Sequence, residues 1–329
     1  MTSIAHKLSI PPDQAGRRLD QALAELLPAY SRSRIKEWIL DGCVLLDGAA
    51  AEPRSRVAAG QQVELAATVA AREGVAAQEV AFGVVHEDEA VLVVDKPAGL
   101  VVHPGAGNPD ATLENGLRHR MPGLAALPRS GLLHRLDKDT SGLVLVAKTL
   151  PAHTQLVRDL QERRITREYR AIANGVMTAG GTVDAPIGRH PTQRLRRAVS
   201  EGGRPALTHY RVLARFPAHT FVAVRLETGR THQIRVHMAH IGFPILGDPA
   251  YGGRPRIPAG ADEALMAVLR GLRRQALHAA AIGFRHPVSG ERLGFSSALP
   301  QDLLAVLAAL AGSTAAAQRL AALGWPQPH

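Results

Sequence analysis

The pattern of apolar and polar positions divides the chain into a short N-terminal unit and a longer, strand-rich one. In the first unit, four leucines recur at the spacing of one helix face: Leu19, Leu23, Leu26 and Leu27. This spacing predicts an amphipathic helix. A second helix is predicted over 31–40, and strands are predicted over 43–46 and 60–65. We therefore expect residues 1–66 to form one small module.

The rest of the chain changes character twice. Residues 67–79 are rich in alanine without helical or strand periodicity, which indicates a linker. Apolar runs then predict seven strands, at 80–86, 91–95, 132–137, 143–148, 169–173, 208–213 and 221–226. Helices are predicted at 151–164, 231–241 and 301–310. Strands with few helices favour an α+β domain on a mostly antiparallel mixed sheet over 80–312. Residues 313–329 are predicted to form a frayed tail.

Composition narrows the class of protein. The chain has 39 Lys and Arg against 29 Asp and Glu, a formal charge of +10, and nearly all its basic residues are arginines. Such a positive field favours a polyanionic partner. The single cysteine, Cys43, permits neither an internal disulfide nor a cysteine metal cluster. Because neither a signal-peptide pattern nor a run of about 18 apolar residues occurs, we expect a cytoplasmic protein without a membrane partner.

The segment richest in chemistry is His-Arg-Leu-Asp-Lys-Asp-Thr-Ser-Gly at 134–142. It lies between two apolar runs predicted as strands, which would hold it on a rigid support. A charged hairpin loop without a catalytic role has the same composition, so the pattern alone leaves both interpretations open.

Two mechanisms fit this loop as a catalytic site. Asp137 and Asp139 resemble the D-x-D-x-T start of magnesium-dependent aspartyl phosphatases, in which the first is the nucleophile and the second the acid. That interpretation requires a following helix, whereas a strand is predicted. Alternatively, a single carboxylate acts on a sugar or a base without metal. A kinase catalytic loop is disfavoured because the residue order differs and the asparagine is missing.

The second polar segment, 227–240, predicts an anion-binding helix start. Thr231 is expected to cap the helix, and Arg230 with the exposed amides would hold a phosphate. Arg235 lies one turn further along. His237 and His240 have the spacing of a metal pair, but no carboxylate accompanies them, so no metal is expected.

A third segment, 165–171, is predicted as a strand carrying Tyr169, one of the few residues able to stack on a base. A core-facing aromatic residue is the alternative. Two basic groups complete the pattern. One surrounds the predicted N-terminal helices and contains Arg17, Arg18, Arg32, Arg34 and Lys36. The other is a predicted exposed loop with Arg189, Arg194, Arg196 and Arg197. Phosphate contacts and plain solvation both explain them. Arg32 and Lys36 share a helix face, where an external anion would relieve their repulsion.

Together these segments resemble the RluA-type pseudouridine synthases. Residues 134–142 look like the active-site motif of that family, Tyr169 matches its strand tyrosine, and 229–237 look like its third motif. Residues 93–104 are similar to its first strand pair, and 16–66 resemble an S4 RNA-binding module of the α-L type. The resemblance covers nearly the whole chain, and the order and spacing of the motifs make it specific.

The resemblance implies an isomerase that converts uridine to pseudouridine without a cofactor or metal. Asp137 would be the catalytic carboxylate, acting at C1′ or C2′ of the sugar or at C6 of the base. Tyr169 would stack on the flipped base and Arg235 would pair with Asp137. Further substrate contacts are implied for His134, Arg135, Arg230, His232 and Ile234. Arg167 is a departure, because many relatives have lysine there.

The resemblance also implies a partner. The RNA would be 23S rRNA or a precursor of the large ribosomal subunit, with uridines of the helix 69 hairpin loop as targets, and the enzyme would act as a monomer. The S4 module and the basic loop at 189–197 would bind RNA. Two other classes remain alternatives: the magnesium-dependent phosphatase, and a non-catalytic RNA-binding or assembly factor.

Overall fold

The computed structural model describes residues 2–28, 30, 32–69, 75–105, 107–193, 196–253 and 255–325. Their first part is a small α+β unit. Its elements are β1 (Thr2–Ser9), α1 (Leu19–Leu26), α2 (Arg32–Leu40), β2 (Val44–Leu46), β3 (Ala49–Ala50) and β4 (Gln62–Val69). The strands form an antiparallel sheet in the order β1-β4-β2-β3. The helices bury Leu19, Leu23, Ile35 and Trp38 beside that sheet. Both predicted helices are therefore confirmed.

The N-terminal unit extends beyond its predicted limit at one strand, β4, and contains one strand that was not predicted, β1. The strand predicted over 60–65 continues to Val69, three residues past the boundary set at 66, because it pairs along its whole length with β1. β1 itself was not predicted: its half-buried and exposed residues alternate, but His6 stands between Ile4 and Leu8 on the inward side and interrupts the apolar pattern.

The C-terminal end of the predicted linker belongs to the large unit. Asn115 donates to the carbonyl of Ala76 at 2.8 Å and Arg118 donates to the carbonyl of Val75 at 2.9 Å. The backbone N–H of Gln78 donates to the carbonyl of Asn115. The linker prediction is therefore wrong for 75–78, which are tied to a helix, and residues 70–74 lie outside the described residues.

The large unit is built on one nine-stranded sheet. Its strands are β5 (Gly83–Glu87), β6 (Val91–Lys96), β7 (Ser141–Ala147), β8 (Thr166–Asn174), β9 (Gly181–Asp184), β12 (Leu207–Arg215), β13 (His219–Leu226), β14 (Leu277–Arg285) and β15 (Arg292–Ser296), while β10 (Ile187–Arg189) and β11 (Arg197–Val199) form a separate hairpin. The order is β5-β6-β7-β14-β8-β13-β12-β9, with β15 on β14. Every pairing is antiparallel except that of β7 with β14, which confirms a mostly antiparallel mixed sheet.

Helices flank this sheet. They are α3 (Leu113–Arg120), α4 (Leu150–Gln161), α5 (Gln233–His240), α6 (Glu263–Gly271), α7 (Gln301–Ala311) and α8 (Thr314–Ala321). Three were predicted within three residues of their observed ends. α3, α6 and α8 were not predicted, and neither were β9, β10, β11, β14 and β15.

One predicted strand is absent. Residues 132–137 form a loop that touches the sheet through a single bridge, from Leu132 to Val146. The loop follows a tight turn in which Arg129 and Ser130 have left-handed backbone angles. The apolar side chains of Leu132, Leu133 and Leu136 are buried, but by loop packing rather than by sheet pairing. Burial alone produced the strand-like pattern.

The C-terminal segment is structured, so the prediction of a frayed tail from residue 313 is wrong over 313–325. Ser313 caps α8, and Arg170 donates to the carbonyl of Leu323 at 2.5 Å. The guanidinium of Arg225 lies 4.4 Å above the Trp325 ring. The partners of this segment, Arg170 and Arg225, are distant in sequence, so its alanine-rich composition does not indicate that it packs.

Within the described residues no single helix is long and apolar enough to cross a membrane. α7 and α8 meet that test of length and composition only as a pair, with a bend of 115° between them.

A buried carboxylate organises the helices of the N-terminal unit. Asp20, at the start of α1, is 1% exposed. It accepts hydrogen bonds from Arg18 at 3.0 Å and from Arg32 of α2 at 2.8 Å. Burial alone would raise the pKa of Asp20, but these two arginines outweigh it and hold the pKa below its ordinary value.

We predict that Asp20→Asn lowers the free energy of unfolding of this unit by about 1–2 kcal/mol at pH 7, because two charge-assisted hydrogen bonds lose their anion. The pKa of Asp20 is depressed in the fold, so its contribution is present above the unfolded value of about 3.9 and is lost as pH falls below it. Denaturant unfolding followed by Trp38 fluorescence in a Trp325→Phe background measures this. The exposed Asp41→Asn is the control, and an equal loss at pH 3 and pH 7 would contradict the prediction.

Candidate active site

A cleft of about 500 Å³ lies between the loop at 132–140, strand β8 and the start of α5. The structure brings to this cleft every residue predicted for catalysis or substrate contact, namely His134, Arg135, Asp137, Tyr169, Arg230, His232, Ile234 and Arg235. These residues come from three segments that are far apart in sequence. Their shared position is a finding about geometry, while their roles remain predictions.

The guanidinium of Arg235 is the central group of the cleft. Its Nη1 donates to Oδ2 of Asp137 at 3.0 Å. On its other side, Nε and Nη2 donate to the two oxygens of Asp248 at 2.7 and 2.8 Å. Burial alone would lower the pKa of Arg235, but the two carboxylates outweigh it and raise that pKa. Arg235 is therefore a fixed cation that links the carboxylate of Asp137 to a buried anchor, Asp248.

Asp248 is the second half of this link. Its side chain is fully buried, and its Oδ1 also accepts from the backbone N–H groups of Ala250 at 2.9 Å and Tyr251 at 3.1 Å. Sequence reasoning missed Asp248, because nothing in the spacing between it and Arg235 indicates a contact. A carboxylate with this many donors holds the guanidinium plane in one orientation.

The loop that carries Asp137 is held from the side of β6 by Lys96. Its ammonium group, which is fully buried, donates to the carbonyls of Pro97, Leu100 and Lys138 at 2.8, 2.8 and 2.9 Å. Burial lowers the pKa of Lys96 to about 8, although nearby aspartates oppose that shift. Lys96 thus fixes the residue next to Asp137 without contacting the cleft.

The start of β14 holds the other end of the loop. Gln275 donates to the hydroxyl of Thr140 at 3.0 Å and Arg274 donates to the carbonyl of Asp139 at 3.1 Å. Gly142 lies where β7 meets β14, and a Cβ there would be 2.2 Å from the carbonyl oxygen of Ala279. Glycine is therefore required at the last position of the 134–142 motif for this close approach.

Asp137 and Asp139 do not share a site. A tight turn through Lys138, closed by the N–H of Thr140 on the carbonyl of Asp137 at 3.1 Å, separates them. Asp139 lines a second cleft beside Arg274, while Asp137 lines the first. The paired carboxylates that the phosphatase interpretation needs are thus absent from this loop. No group of three or more His, Cys, Asp or Glu side chains suited to a metal occurs in the described part of the chain.

Strand β8 presents different residues to its two faces. Arg167 and Tyr169 line the cleft, whereas Glu168 and Arg170 form an ion pair on the opposite face, as strand alternation requires. Tyr169 is 5% exposed, and burial raises the pKa of its hydroxyl. Its aromatic face is therefore held rigidly beside Asp137.

Helix α5 does not begin as predicted. Its N-cap is His232, in the left-handed region with φ +60°, and no side chain caps it, so the prediction of Thr231 as the cap is wrong. Gln233 shapes this turn instead, accepting from the N–H of Arg230 at 2.9 Å and from the Thr228 hydroxyl at 2.8 Å. The left-handed turn aims His232 at the cleft.

His232 lies between Asp137 and Tyr251. Its Nε2 is 3.9 Å from Asp137 and its Nδ1 is 2.9 Å from the Tyr251 hydroxyl. Burial lowers the pKa of His232, with the charge of Asp137 acting in the opposite sense. Tyr251, which sequence reasoning missed, also lies 5.1 Å from the Arg235 guanidinium. His237 does not line the cleft. Its two ring nitrogens are hydrogen-bonded to the Thr208 hydroxyl and to the carbonyl of Ala185.

Most basic residues predicted to bind RNA through the N-terminal unit are paired internally. Arg17 donates twice to Glu25, Arg18 and Arg32 share Asp20, and Arg34 pairs with Glu37. Asp20 is therefore the anion that relieves Arg32, in place of the external one expected. Lys36 is exposed and makes no ion pair with any described residue.

The second basic group lies on the β10–β11 hairpin. Arg189 is exposed and forms no ion pair within the described ranges. The guanidinium of Arg196 lies 4.9 Å above the Tyr251 ring, and the N–H of Arg197 donates to the Tyr251 hydroxyl at 2.8 Å. The hairpin thus packs next to the cleft through Tyr251. Arg194 lies outside the described residues.

The fold and the cleft define a pseudouridine synthase, and the chain belongs to the RNA pseudouridylate synthase family. The domain described as RNA pseudouridylate synthase matches residues 90–240, and the S4 domain matches residues 17–63.

The sequence is 54% identical over 300 residues to ribosomal large subunit pseudouridine synthase D of Escherichia coli K12, covering 91% of this chain and 92% of that one. Its namesake from Xanthomonas campestris is 54% identical over 312 residues, covering 95% and 94%. Among solved structures, human RNA pseudouridylate synthase domain containing 4 aligns at 26% identity with a TM-score of 0.55, covering 69% of this chain and 92% of that one. These comparisons confirm the predicted family, its α+β fold and the N-terminal S4 domain.

We predict that Asp248→Asn slows pseudouridine formation by about 10²-fold, because a loosened guanidinium misplaces the groups it holds. Asp248 does not face the cleft, so affinity for RNA should stay within a factor of two. Single-turnover assays and filter binding separate the two quantities. Asp262→Asn, at an exposed helix cap that asparagine also suits, is the control. A wild-type rate for Asp248→Asn would show that Arg235 needs no anchor.

Proposed function

We propose that this protein isomerises uridines of large-subunit rRNA to pseudouridine, with Asp137 as the catalytic carboxylate. The observation that carries the proposal is the position of Asp137 in the cleft, 3.0 Å from a guanidinium that Asp248 fixes and beside the buried ring of Tyr169. The rRNA class is supported by 54% identity, over nearly the whole chain, to proteins named for the large ribosomal subunit.

The reaction breaks the N1–C1′ bond, turns the uracil and joins C5 to C1′. C5 loses a proton and N1 gains one, so the isomerisation balances without a cofactor. Asp137 acts at C1′ or C2′ of the sugar or at C6 of the base, and Arg235 orients its carboxylate and balances its charge. The cleft volume of about 500 Å³ lies within the range of ligand pockets, roughly 300–1,000 Å³.

A uridine must leave its stack to reach this cleft, at a cost of a few kcal/mol. The ring of Tyr169 offers a rigid face on which the flipped base stacks, and Ile234, which is 4% exposed, provides an apolar surface beside it. Arg135 and Arg230 stand at the cleft wall and supply phosphate contacts, together with His232. Stacking thereby repays part of the cost of flipping.

We further propose that the target is the hairpin loop of helix 69 in 23S rRNA or in a large-subunit precursor, that the enzyme acts as a cytoplasmic monomer, and that the S4 domain adds affinity. The target is supported by the resemblance of the motifs. Mapping of pseudouridine by mass spectrometry, in rRNA from cells with and without this chain, tests it. Loss of pseudouridine outside helix 69 only would contradict that choice.

Asp137→Asn should abolish isomerisation while RNA affinity stays within about twofold, because the amide is nearly isosteric but lacks the charge that the chemistry requires. Asp139→Asn is the matched control, since Asp139 faces the second cleft. Its rate should stay near that of the wild type. Tritium release from 5-³H-uridine RNA measures both. An inactive Asp139→Asn beside an active Asp137→Asn would refute the assignment.

Free and paired cations should contribute differently to RNA binding. Lys36→Ala and Arg189→Ala should each weaken binding and reduce the slope of log K against log salt by about 0.7–0.9, because each removes an unpaired cation available to a phosphate. Arg17→Ala should have a smaller effect, since its charge is already balanced by Glu25. Binding titrations at four salt concentrations give the slopes. Equal slopes for all three variants would exclude this distinction.

A further inference from the structure

Arg167 is a buried cation that forms no ion pair with any residue the structure describes. It is 6% exposed, and its Nε has no hydrogen-bond partner among the described residues. Its Nη2 reaches the carbonyls of Leu226 and Glu227 at 3.4 and 3.3 Å, longer than the usual range of roughly 2.7–3.2 Å. Burial lowers the pKa of its guanidinium. An arginine held this way costs stability, and a group kept at such a cost points to a ligand.

The position of Arg167 indicates that its ligand is the base rather than the RNA backbone. It lies two residues before Tyr169 on β8, so both side chains leave the same face of the strand into the cleft. The guanidinium of Arg167 fills space that the absence of a side chain at Gly229 leaves open, because a Cβ at Gly229 would be 3.0 Å from Nη1 of Arg167. Of the arginines that line the cleft, Arg129 and Arg135 are exposed and so suited to phosphates, whereas Arg163 is exposed but already pairs with Glu227.

His134 supplies a second unmatched donor in the same cleft. The N–H of Leu145 donates to its Nε2 at 3.1 Å, and burial lowers its pKa to about 3, so the ring is neutral. A neutral ring that accepts at Nε2 carries its proton at Nδ1. That Nδ1 is buried and has no partner in the described part of the chain. The charge of Arg167 acts on this ring.

We propose that Arg167 and the Nδ1–H of His134 donate hydrogen bonds to the carbonyl oxygens of the flipped uracil and stabilise the negative charge that develops on them. This role of Arg167 and His134 rests on the proposed function. When the N1–C1′ bond breaks, its electron pair leaves with uracil and spreads over N1, O2 and O4. If Asp137 adds to C6 instead, the electron pair of the C5–C6 double bond moves onto C5 and O4. Either route places charge on a carbonyl, where preorganised donors lower the barrier.

The test compares two arginines of the same strand. Arg167→Met should lower the single-turnover rate on 23S rRNA transcript by about 10²- to 10³-fold, leave the RNA Kd within twofold, and leave the Tm unchanged or raise it. Arg170→Met, on the opposite face, should show the reverse, with a lower Tm because Glu168 and the Leu323 carbonyl lose their donor, and a near-wild-type rate. Gly229→Ala, which displaces the Arg167 guanidinium but keeps its charge, should also slow the rate without changing the Kd.

Three outcomes overturn the proposal. A wild-type rate for Arg167→Met and Gly229→Ala removes the catalytic role. A weaker Kd with a smaller salt slope, at an unchanged saturating rate, identifies a phosphate as the ligand instead. A wild type that forms no pseudouridine in this RNA refutes the proposed function as well, whereas an active wild type with equally active variants refutes this inference alone.

Discussion

The active site depends on one guanidinium held between two carboxylates. Arg235 donates two hydrogen bonds to the buried Asp248 and one to Asp137. It therefore holds the loop of Asp137, helix α5 and the segment of Asp248 in fixed relative positions. Three parts of the chain meet at this group, because Asp137 precedes Arg235 by 98 residues and Asp248 follows it by 13. Removing a partner from such a buried network leaves a charge uncompensated, which makes the arrangement all-or-none.

The rest of the site follows from keeping the Asp137 loop in one conformation. The loop is not part of the sheet, so it lacks the ladder of hydrogen bonds that fixes a strand. Lys96 from β6 and Gln275 and Arg274 before β14 replace that ladder with side-chain donors to the loop. The parallel contact of β7 with β14, which requires Gly142, brings these donors within reach.

This dependence on distant contacts explains what could be predicted from sequence. Elements with their own periodicity, such as α1 and β13, were found, and motif resemblance located Asp137, Tyr169 and Arg235 in one site. The loop at 132–137 was taken for a strand because burial, not pairing, sets its apolar pattern. Asp248 and Lys96 were missed because the contact by which each supports the site is with a distant segment, Arg235 for Asp248 and the carbonyl of Lys138 for Lys96. The docking of the C-terminal residues was missed for the same reason, since Arg170 and Arg225 lie more than 90 residues away.

The arginines of the two N-terminal helices and Arg167 in the cleft are placed on opposite principles. In the N-terminal unit Asp20 neutralises both Arg18 and Arg32, so the main effect of these two arginines is to fix α1 and α2 against each other. In the cleft Arg167 is buried, and none of the acids in the described ranges pairs with it. The burial of the apolar side chains of the large sheet opposes this cost. In the role proposed for Arg167, a donor already buried in the cleft wall needs little reorganisation when negative charge develops on the substrate, so the energy that it costs the free enzyme is recovered in the transition state.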